Sequence, residues 1–178
     1  YDEVIINVHR LNGIFLKSAK SPSEFLLLWS MSNRKKAIKL IEAEYPEDGM
    51  LSTALVKLLN WRGLYMQFEY RLDRKRMNER GVKMYLNDQS FYDSLKSYYT
   101  NNKVIYLRGN LLFEGAVEKL GNLLTENGAK VSVYFPSNAE TYFRFTKIYK
   151  KNMGSFPFAD DATVIRTRAW ARYVKASS

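Results

Sequence analysis

The chain has 178 residues, of which 46% are apolar and 15% aromatic, so it has ample material for a hydrophobic core and is not a disordered polypeptide. It contains no cysteine and one histidine, which excludes disulfides, thiolate metal sites and metal sites that need two imidazoles. No metal is therefore expected, and the net charge of +10 favours anionic partners through long-range attraction.

Neither a membrane span nor a targeting signal is recognisable in the sequence. The longest apolar run, Phe25 to Trp29, is far shorter than the roughly 20 residues that cross a bilayer. No basic segment followed by an apolar one marks a secretion signal, and the first residue is Tyr1 rather than methionine. We therefore expect a fragment, or a chain whose native N-terminus has been removed.

The first predicted elements are a strand and a helix. The β-branched run Glu3 to Val8 is typical of a buried parallel strand, and it leads into a turn at His9 to Gly13. Ser21 as N-cap, Pro22 at the first helical position and Glu24 completing a capping box predict the start of a helix.

Helices fill the middle third of the chain, where apolar residues recur at helical spacing. Gly63 is a possible break and Gly81 a C-terminal stop of the longest of them. The predicted helices span residues 34–44, 51–77 and 90–99, and those at about 50–100 form a helical insertion.

The last part alternates strands and helices. Residues 104–107, 116–125 and 131–135 predict a strand, a helix and a strand, and this βαβ unit would make its strands parallel. A helix from Ala139 to about Lys151 and a strand from Thr163 to Thr167 follow. The whole pattern predicts one α/β domain over residues 1–178, with an open, mostly parallel sheet and helices on both faces.

Ligands of such a sheet sit beyond the carboxyl ends of its strands, which selects three segments: Asn7 to Asn12, Arg108 to Asn110 and Pro136 to Glu140. In the third segment, Ser137 and Glu140 match a capping box that satisfies backbone donors. The same polar side chains could also contact an anion or a ligand oxygen at the helix N-terminus. Both interpretations stay open.

Three further features each have a functional and a structural interpretation. Gly109 could let a cofactor approach the backbone beside Arg108, or it could simply form a tight turn. His9 could act as a general base, although a structural role is more common. Asp160 and Asp161 could bind a cation, but adjacent carboxylates more simply form a polar turn.

The densest basic segment comprises Arg71, Arg74, Lys75, Arg76 and Arg80. Together with the preceding aromatic residues 65, 68 and 70, it could bind nucleic acid by holding phosphates and stacking bases. The alternative is a solvated helix face with internal ion pairs, above aromatic side chains that pack into the core.

The string from Asn127 to Tyr142 resembles a signature of a family of uncharacterised bacterial proteins with a class I methyltransferase-like fold, in which a strand is followed by Ser-Asn-x-Glu-x-Tyr. Residues 4–12, 107–110, 149–152 and 163–167 agree in order and approximate spacing. The resemblance implies a Rossmann-like fold whose first strand and glycine loop lie upstream of Tyr1. It also implies aspartate where this chain has Asn7 and Asn110. The compartment stays unassigned, with the bacterial cytoplasm and an exported compartment as the alternatives.

The resemblance supplies candidate positions but no established activity, so catalytic residues stay unassigned and catalysis itself stays open. We expect a degenerate methyltransferase-like domain that acts as a ligand-binding or interaction module, with a small-molecule or anionic ligand at the strand ends. The alternatives are an active S-adenosylmethionine-dependent methyltransferase with an upstream glycine loop, and a nucleic-acid-binding protein acting through residues 71–80. The residues expected to line the pocket are Asn7, Arg10, Asn12, Arg108, Gly109, Asn110, Ser137, Asn138, Glu140 and Tyr142.

Overall fold

The computed structural model describes residues 2–107, 109–137, 140 and 143–166. They divide into two compact units, one over residues 1–106 and one over residues 107–178. That residues 1–178 act as one domain stays a prediction. Within the described ranges, no helix is both long and apolar enough to cross a membrane.

The first unit is helical. Its described elements are α1 (Asp2–Ser18), α2 (Pro22–Leu28), a short 3-10 helix (Met31–Asn33), α3 (Arg34–Glu44), α4 (Gly49–Glu79) and α5 (Gln89–Thr100). The start of α2 is the predicted one, since Pro22 is its first residue and the Ser21 hydroxyl accepts a hydrogen bond from the Glu24 N–H at 3.2 Å. The predicted helix over residues 34–44 is likewise confirmed.

The predicted strand at Glu3 to Val8 and the turn after it are wrong, because both lie inside the single helix α1. A short apolar run does not distinguish a strand from a buried helix, and apolar residues at positions 4, 8, 11 and 15 continue at helical spacing through the supposed turn. Gly13 lies within this helix as a packing residue. A Cβ atom there would lie 2.8 Å from Cδ1 of Tyr99, so only glycine lets that ring lie against α1.

The core of the first unit lies between α1, α2, α3, α4 and α5. The rings of Phe15 and Trp29 meet edge to face, with centroids 5.0 Å apart. The hydroxyl of buried Tyr92 is within 3.2 Å of the carbonyl oxygens of both Leu16 and Ala19, so α5 is held against the end of α1.

The second unit contains α6 (Ala116–Glu126), β1 (Val131–Ser137), α7 (Lys147–Gly154) and β2 (Phe158–Arg166) among its described residues. The two strands are parallel neighbours, with Val131 opposite Phe158 and Ser137 opposite Arg166. Asp160 and Asp161 lie in the stretch of β2 where the register is irregular. The predicted strands at 131–135 and 163–167 are therefore present, although Thr167 lies outside the described residues.

The predicted open Rossmann-like sheet with helices on both faces is wrong. The described residues are mainly helical and form one sheet of two parallel strands. Residues 104–107 do not form a strand, and the side chains of Ile105 and Leu107 are exposed instead of buried in a sheet. The βαβ unit that does form is β1-α7-β2, so the crossover helix is not the predicted helix at residues 116–125.

The helix predicted from Ala139 to Lys151 begins later, at Lys147. Its N-cap is Thr146, whose hydroxyl accepts a hydrogen bond from the Tyr149 N–H at 3.1 Å. Glu140 therefore does not cap this helix.

Candidate functional site

The predicted site residues of the first unit do not converge on one pocket. Asn7 and Arg10 are neighbours on α1, and an Arg10 N–H donates to the Asn7 side-chain oxygen at 2.9 Å. Asn12 lies on another side of the helix, where it accepts a hydrogen bond from the Tyr70 hydroxyl at 2.8 Å. Because α1 is a helix and not a strand, these three side chains do not share a sheet edge.

Asn110 begins a turn over residues 110–113, and Gly109 directly precedes it. The Asn110 side-chain oxygen accepts a hydrogen bond from the Leu112 N–H at 2.9 Å, as asparagine does in turns. Gly109 lines a mainly apolar cavity of about 170 Å³ together with Ala116 and Phe156. Arg108 lies outside the described residues.

The predicted segment after β1 is described only in part. Ser137 ends β1, whereas Asn138, Tyr142 and the Ser137 side chain lie outside the described part of the structure. The Glu140 side chain is buried and accepts hydrogen bonds from Arg166 Nε at 2.6 Å and from the Tyr149 hydroxyl. This ion pair joins the segment after β1 to the end of β2, so the carboxylate is already occupied.

A larger surface feature lies on α4, whose two sides are both apolar. Leu55, Leu59 and Tyr70 face the core. On the opposite side, the outer face of α4 carries four large apolar side chains that are more than half exposed: Trp61 at 68%, Leu64 at 56%, Tyr65 at 54% and Phe68 at 62%. Their spacing of three and four residues places them in one stripe along the helix.

A groove between α1 and α4 adjoins this stripe. Its volume is about 350 Å³, and Trp61 forms one wall together with Val4, Ala54 and Leu58. Asn7 lines the same groove, and Lys57 and Glu3 supply its charges. A cavity of this size accepts one or two large apolar side chains, since whole drug-sized ligands occupy about 300–1,000 Å³.

Arginine side chains of α4 lie beside the stripe and C-terminal to it. The Arg62 guanidinium carbon lies 4.4 Å from the centroid of the Trp61 ring and 5.8 Å from that of Tyr65. Further along the helix, Arg71 and Arg74 line a second cavity, of about 250 Å³, beside Leu27. The outer face of α4 therefore combines exposed rings with positive charge.

One family model matches the chain over its whole length, residues 1–178, and its description is "Domain of unknown function (DUF7790)". The chain belongs to the DUF7790 family. No curated protein matches it.

In this DUF7790 chain, the basic segment over residues 71–80 is a helix face with internal ion pairs, which is one part of the structural alternative to nucleic-acid binding. Lys75 pairs with Glu79 at 3.8 Å and Arg76 with Asp73 at 3.5 Å, both within the helix. Of the aromatic side chains before it, Tyr70 is buried, and this burial raises its pKa to about 12. The prediction of core packing is wrong for the other two, Tyr65 and Phe68, which are exposed.

Trp61, Leu64 and Arg62 of the DUF7790 chain are surface residues that were not predicted from the sequence. A usable signal was present: apolar residues recur at helical spacing on two opposite sides of residues 51–72. A helix that is apolar all round must be covered on every side. Periodicity alone does not tell which of the two sides faces the core of the same chain.

Proposed function

We propose that this DUF7790 chain is a binding module that holds an acidic amphipathic helix of a partner protein along the outer face of α4. The observation that carries the proposal is the stripe of Trp61, Leu64, Tyr65 and Phe68, each more than half exposed. Single exposed apolar side chains are ordinary on protein surfaces, but a contiguous stripe along a helix marks an interaction site.

The charge of α4 indicates the chemistry of the partner. Between Gly49 and Glu79 the helix carries six basic side chains and three acidic ones. Two copies of α4 packed together would place like charges opposite each other, which disfavours a symmetric pair built on this helix. A partner helix with glutamate or aspartate beside its apolar stripe would complement Lys57, Arg62 and Arg71.

The groove beside Trp61 supports the helix-in-groove mode of recognition. In that mode, a partner helix places apolar residues at positions i, i+3, i+4 and i+7 against an apolar surface. One of them would enter the groove of about 350 Å³ next to Trp61. Tryptophan in such a position is typical of residues that dominate binding energy.

The proposal is tested with a synthetic amphipathic peptide of about 20 residues, apolar at i, i+3, i+4 and i+7, with glutamate beside the stripe. We expect the affinity to fall at least about tenfold, or roughly 1.4 kcal/mol, in a Phe68→Ser variant. The matched control is Phe113→Ser, which removes a phenylalanine of similar exposure from the second unit. Equal affinity for a version of the peptide with lysine in place of glutamate, or equal loss in both variants, would overturn the proposal.

Nucleic acid is a second candidate ligand, and the exposure of Trp61, Tyr65 and Phe68 beside arginines favours it. Exposed rings can stack bases while cations hold phosphates. The ion pairs of Lys75 and Arg76 within α4 weaken this alternative. A single-stranded oligonucleotide that binds more tightly than the acidic peptide, with affinity falling steeply as salt rises, would replace the first proposal with the second.

S-adenosylmethionine binding, which the resemblance to class I methyltransferases raised, stays a prediction. Calorimetric titration of the chain with S-adenosylmethionine and S-adenosylhomocysteine tests it directly. Micromolar binding would show that the chain binds this cofactor as well, and methyl transfer would then have to be tested. Absence of binding at millimolar ligand would leave the helix-binding proposal as it stands.

A further inference from the structure

A further, smaller cavity of the first unit lies among residues of α1, the end of α3, the end of α5 and the segment after it. Its volume is about 100 Å³. The charged and polar side chains that line it are those of Arg10, Lys17, Glu44, Tyr45, Tyr99, Asn102 and Tyr106. It shares no lining residue with the groove beside Trp61.

Arg10 supplies positive charge to this cavity without a carboxylate partner. One of its N–H groups donates to the Asn7 side-chain oxygen at 2.9 Å, and no carboxylate of a described residue lies within 4.0 Å of the guanidinium. Lys17, on the same wall, is already paired with Glu44. A guanidinium carries five N–H donors, so most of those on Arg10 are available to an added acceptor.

The tyrosines around the cavity are hydrogen-bond donors at physiological pH. Burial raises the pKa of Tyr45, of Tyr99 and of Tyr106, so all three phenols stay neutral. The Tyr106 hydroxyl donates to the backbone oxygen of His9 at 3.0 Å. The Tyr45 hydroxyl makes no hydrogen bond to any described side chain or carbonyl. Besides burial, the charge of Arg10, which lowers its pKa, and those of Glu44 and Asp48, which raise it, act on this phenol.

We propose that this cavity binds a compact oxyanion group, a phosphoryl or carboxylate group, with Arg10 as the charged donor and the Tyr45 hydroxyl as a neutral one. Among the described lining residues Glu44 is the carboxylate, and its pairing with Lys17 leaves the charge of Arg10 unpaired. This excess of positive charge, beside the Tyr45 phenol, selects an anion over a cation.

The size of the cavity sets the limit on the ligand. A volume of about 100 Å³ is roughly three times the share of one water molecule in the liquid and well below that of a drug-sized pocket. It therefore holds a single oxyanion group, either as a free ion or as the end of a larger molecule that extends into solvent.

Gly13 helps to hold the cavity in shape. The Tyr99 ring forms part of the wall and lies so close to α1 that a Cβ atom on Gly13 would be 2.8 Å from it and 3.3 Å from the Tyr106 hydroxyl. A side chain at this position would displace Tyr99, and with it the wall of the cavity.

Calorimetric titration of the whole chain with inorganic phosphate and with acetate, at low ionic strength and constant chloride, tests the proposal. We expect millimolar or tighter binding of at least one anion, weakened about tenfold or more in Arg10→Gln and several-fold in Tyr45→Phe. The control is Arg62→Gln, which removes a cation of equal charge from the outer face of α4. Preference for phosphate identifies a phosphoryl ligand, and preference for acetate identifies a carboxylate.

Absence of binding at about 50 mM of either anion, or an equal loss in Arg10→Gln and Arg62→Gln, would overturn the proposal. Circular dichroism of each variant checks that the total helical content is unchanged, and Tyr45→Phe provides a test that does not alter charge. The acidic peptide is expected to bind Arg10→Gln with unchanged affinity. Failure of the oxyanion site can therefore be distinguished from failure of helix binding on the outer face of α4.

Discussion

A buried arginine explains the one glycine in the middle of α4. The Arg34 guanidinium is packed under this helix, where it donates to the Leu59 carbonyl oxygen at 2.5 Å, and burial lowers its pKa. A Cβ atom on Gly63 would lie 2.6 Å from Nη1 of Arg34. Gly63 therefore does not break the helix, as the sequence suggested it could, but makes room for a charge from α3.

Replacing Gly63 with alanine should destabilise the first unit by about 1–3 kcal/mol, because the guanidinium must leave its carbonyl acceptor while remaining buried. Urea denaturation followed by circular dichroism measures the change. The control is Gly49→Ala in the first turn of α4, where no other atom lies within 4 Å of the added methyl group. A similar effect of both substitutions would contradict this account.

Asp88 makes the start of α5 sensitive to acid. Hydrogen bonds from the Ser90 hydroxyl and the Phe91 N–H, together with Lys83, lower the pKa of Asp88 from 3.8 to about 2. Because the pKa is lower in the folded state, the stabilisation is fully present above about pH 4 and is lost as pH falls towards 2.

Denaturation at pH 5, 3 and 2 should therefore show a smaller acid-induced loss of stability in Asp88→Asn than in the native chain. Asparagine also caps helices but does not titrate, so the substitution isolates the charge. An identical dependence on pH in both proteins would show that Asp88 contributes nothing to it.

At the scale of the element, α4 has two apolar faces with different energetic roles. Leu59→Ala on the inner face should cost about 2–5 kcal/mol of stability, because it leaves a cavity in a packed core. Phe68→Ala on the outer face should change stability by no more than about 0.5 kcal/mol. Thermal and urea unfolding of the two variants compares the faces, and a large loss in Phe68→Ala would mean that the outer face supports the fold.

The packing of α6 on the end of α7 depends on one glycine. A Cβ atom on Gly121 would lie 2.3 Å from the backbone oxygen of Ser155, and the backbone cannot move aside as a side chain can. Gly121→Ala should therefore destabilise the second unit by about 2 kcal/mol or more. Amide exchange at β1 and β2 reports the change, and Gly154→Ala, which meets open space, should leave that exchange unaltered.

At the scale of the molecule, the first unit carries a core of its own. The buried cluster that includes Leu11, Phe15, Trp29, Leu59 and Tyr92 lies entirely within residues 1–106. We therefore expect a fragment of residues 1–106 to fold alone, with a helical circular dichroism spectrum and a cooperative thermal transition. A fragment without either would show that this core needs residues after 106.

Elements with local signals were predictable from the sequence. Ser21, Pro22 and Glu24 mark the start of α2 because a helix N-terminus needs specific groups to satisfy its free N–H donors. The strand at Val131 and the stop at Gly128, whose φ is +63°, have similar local causes. The lining of the small cavity was less predictable. Arg10 does line a cavity, but it does so from the helix α1 and not from the strand end where it was expected.

The sequence by itself determined where α2 begins, that one strand lies near Val131, and that the chain carries excess positive charge. Only the tertiary structure decided that Glu3 to Val8 is helical, that β1 pairs with β2, and that Trp61 and Phe68 face outward. The physical reason is the range of the interactions. Caps and turns are satisfied within a few residues, whereas strand pairing and burial depend on which distant segment supplies the partner surface.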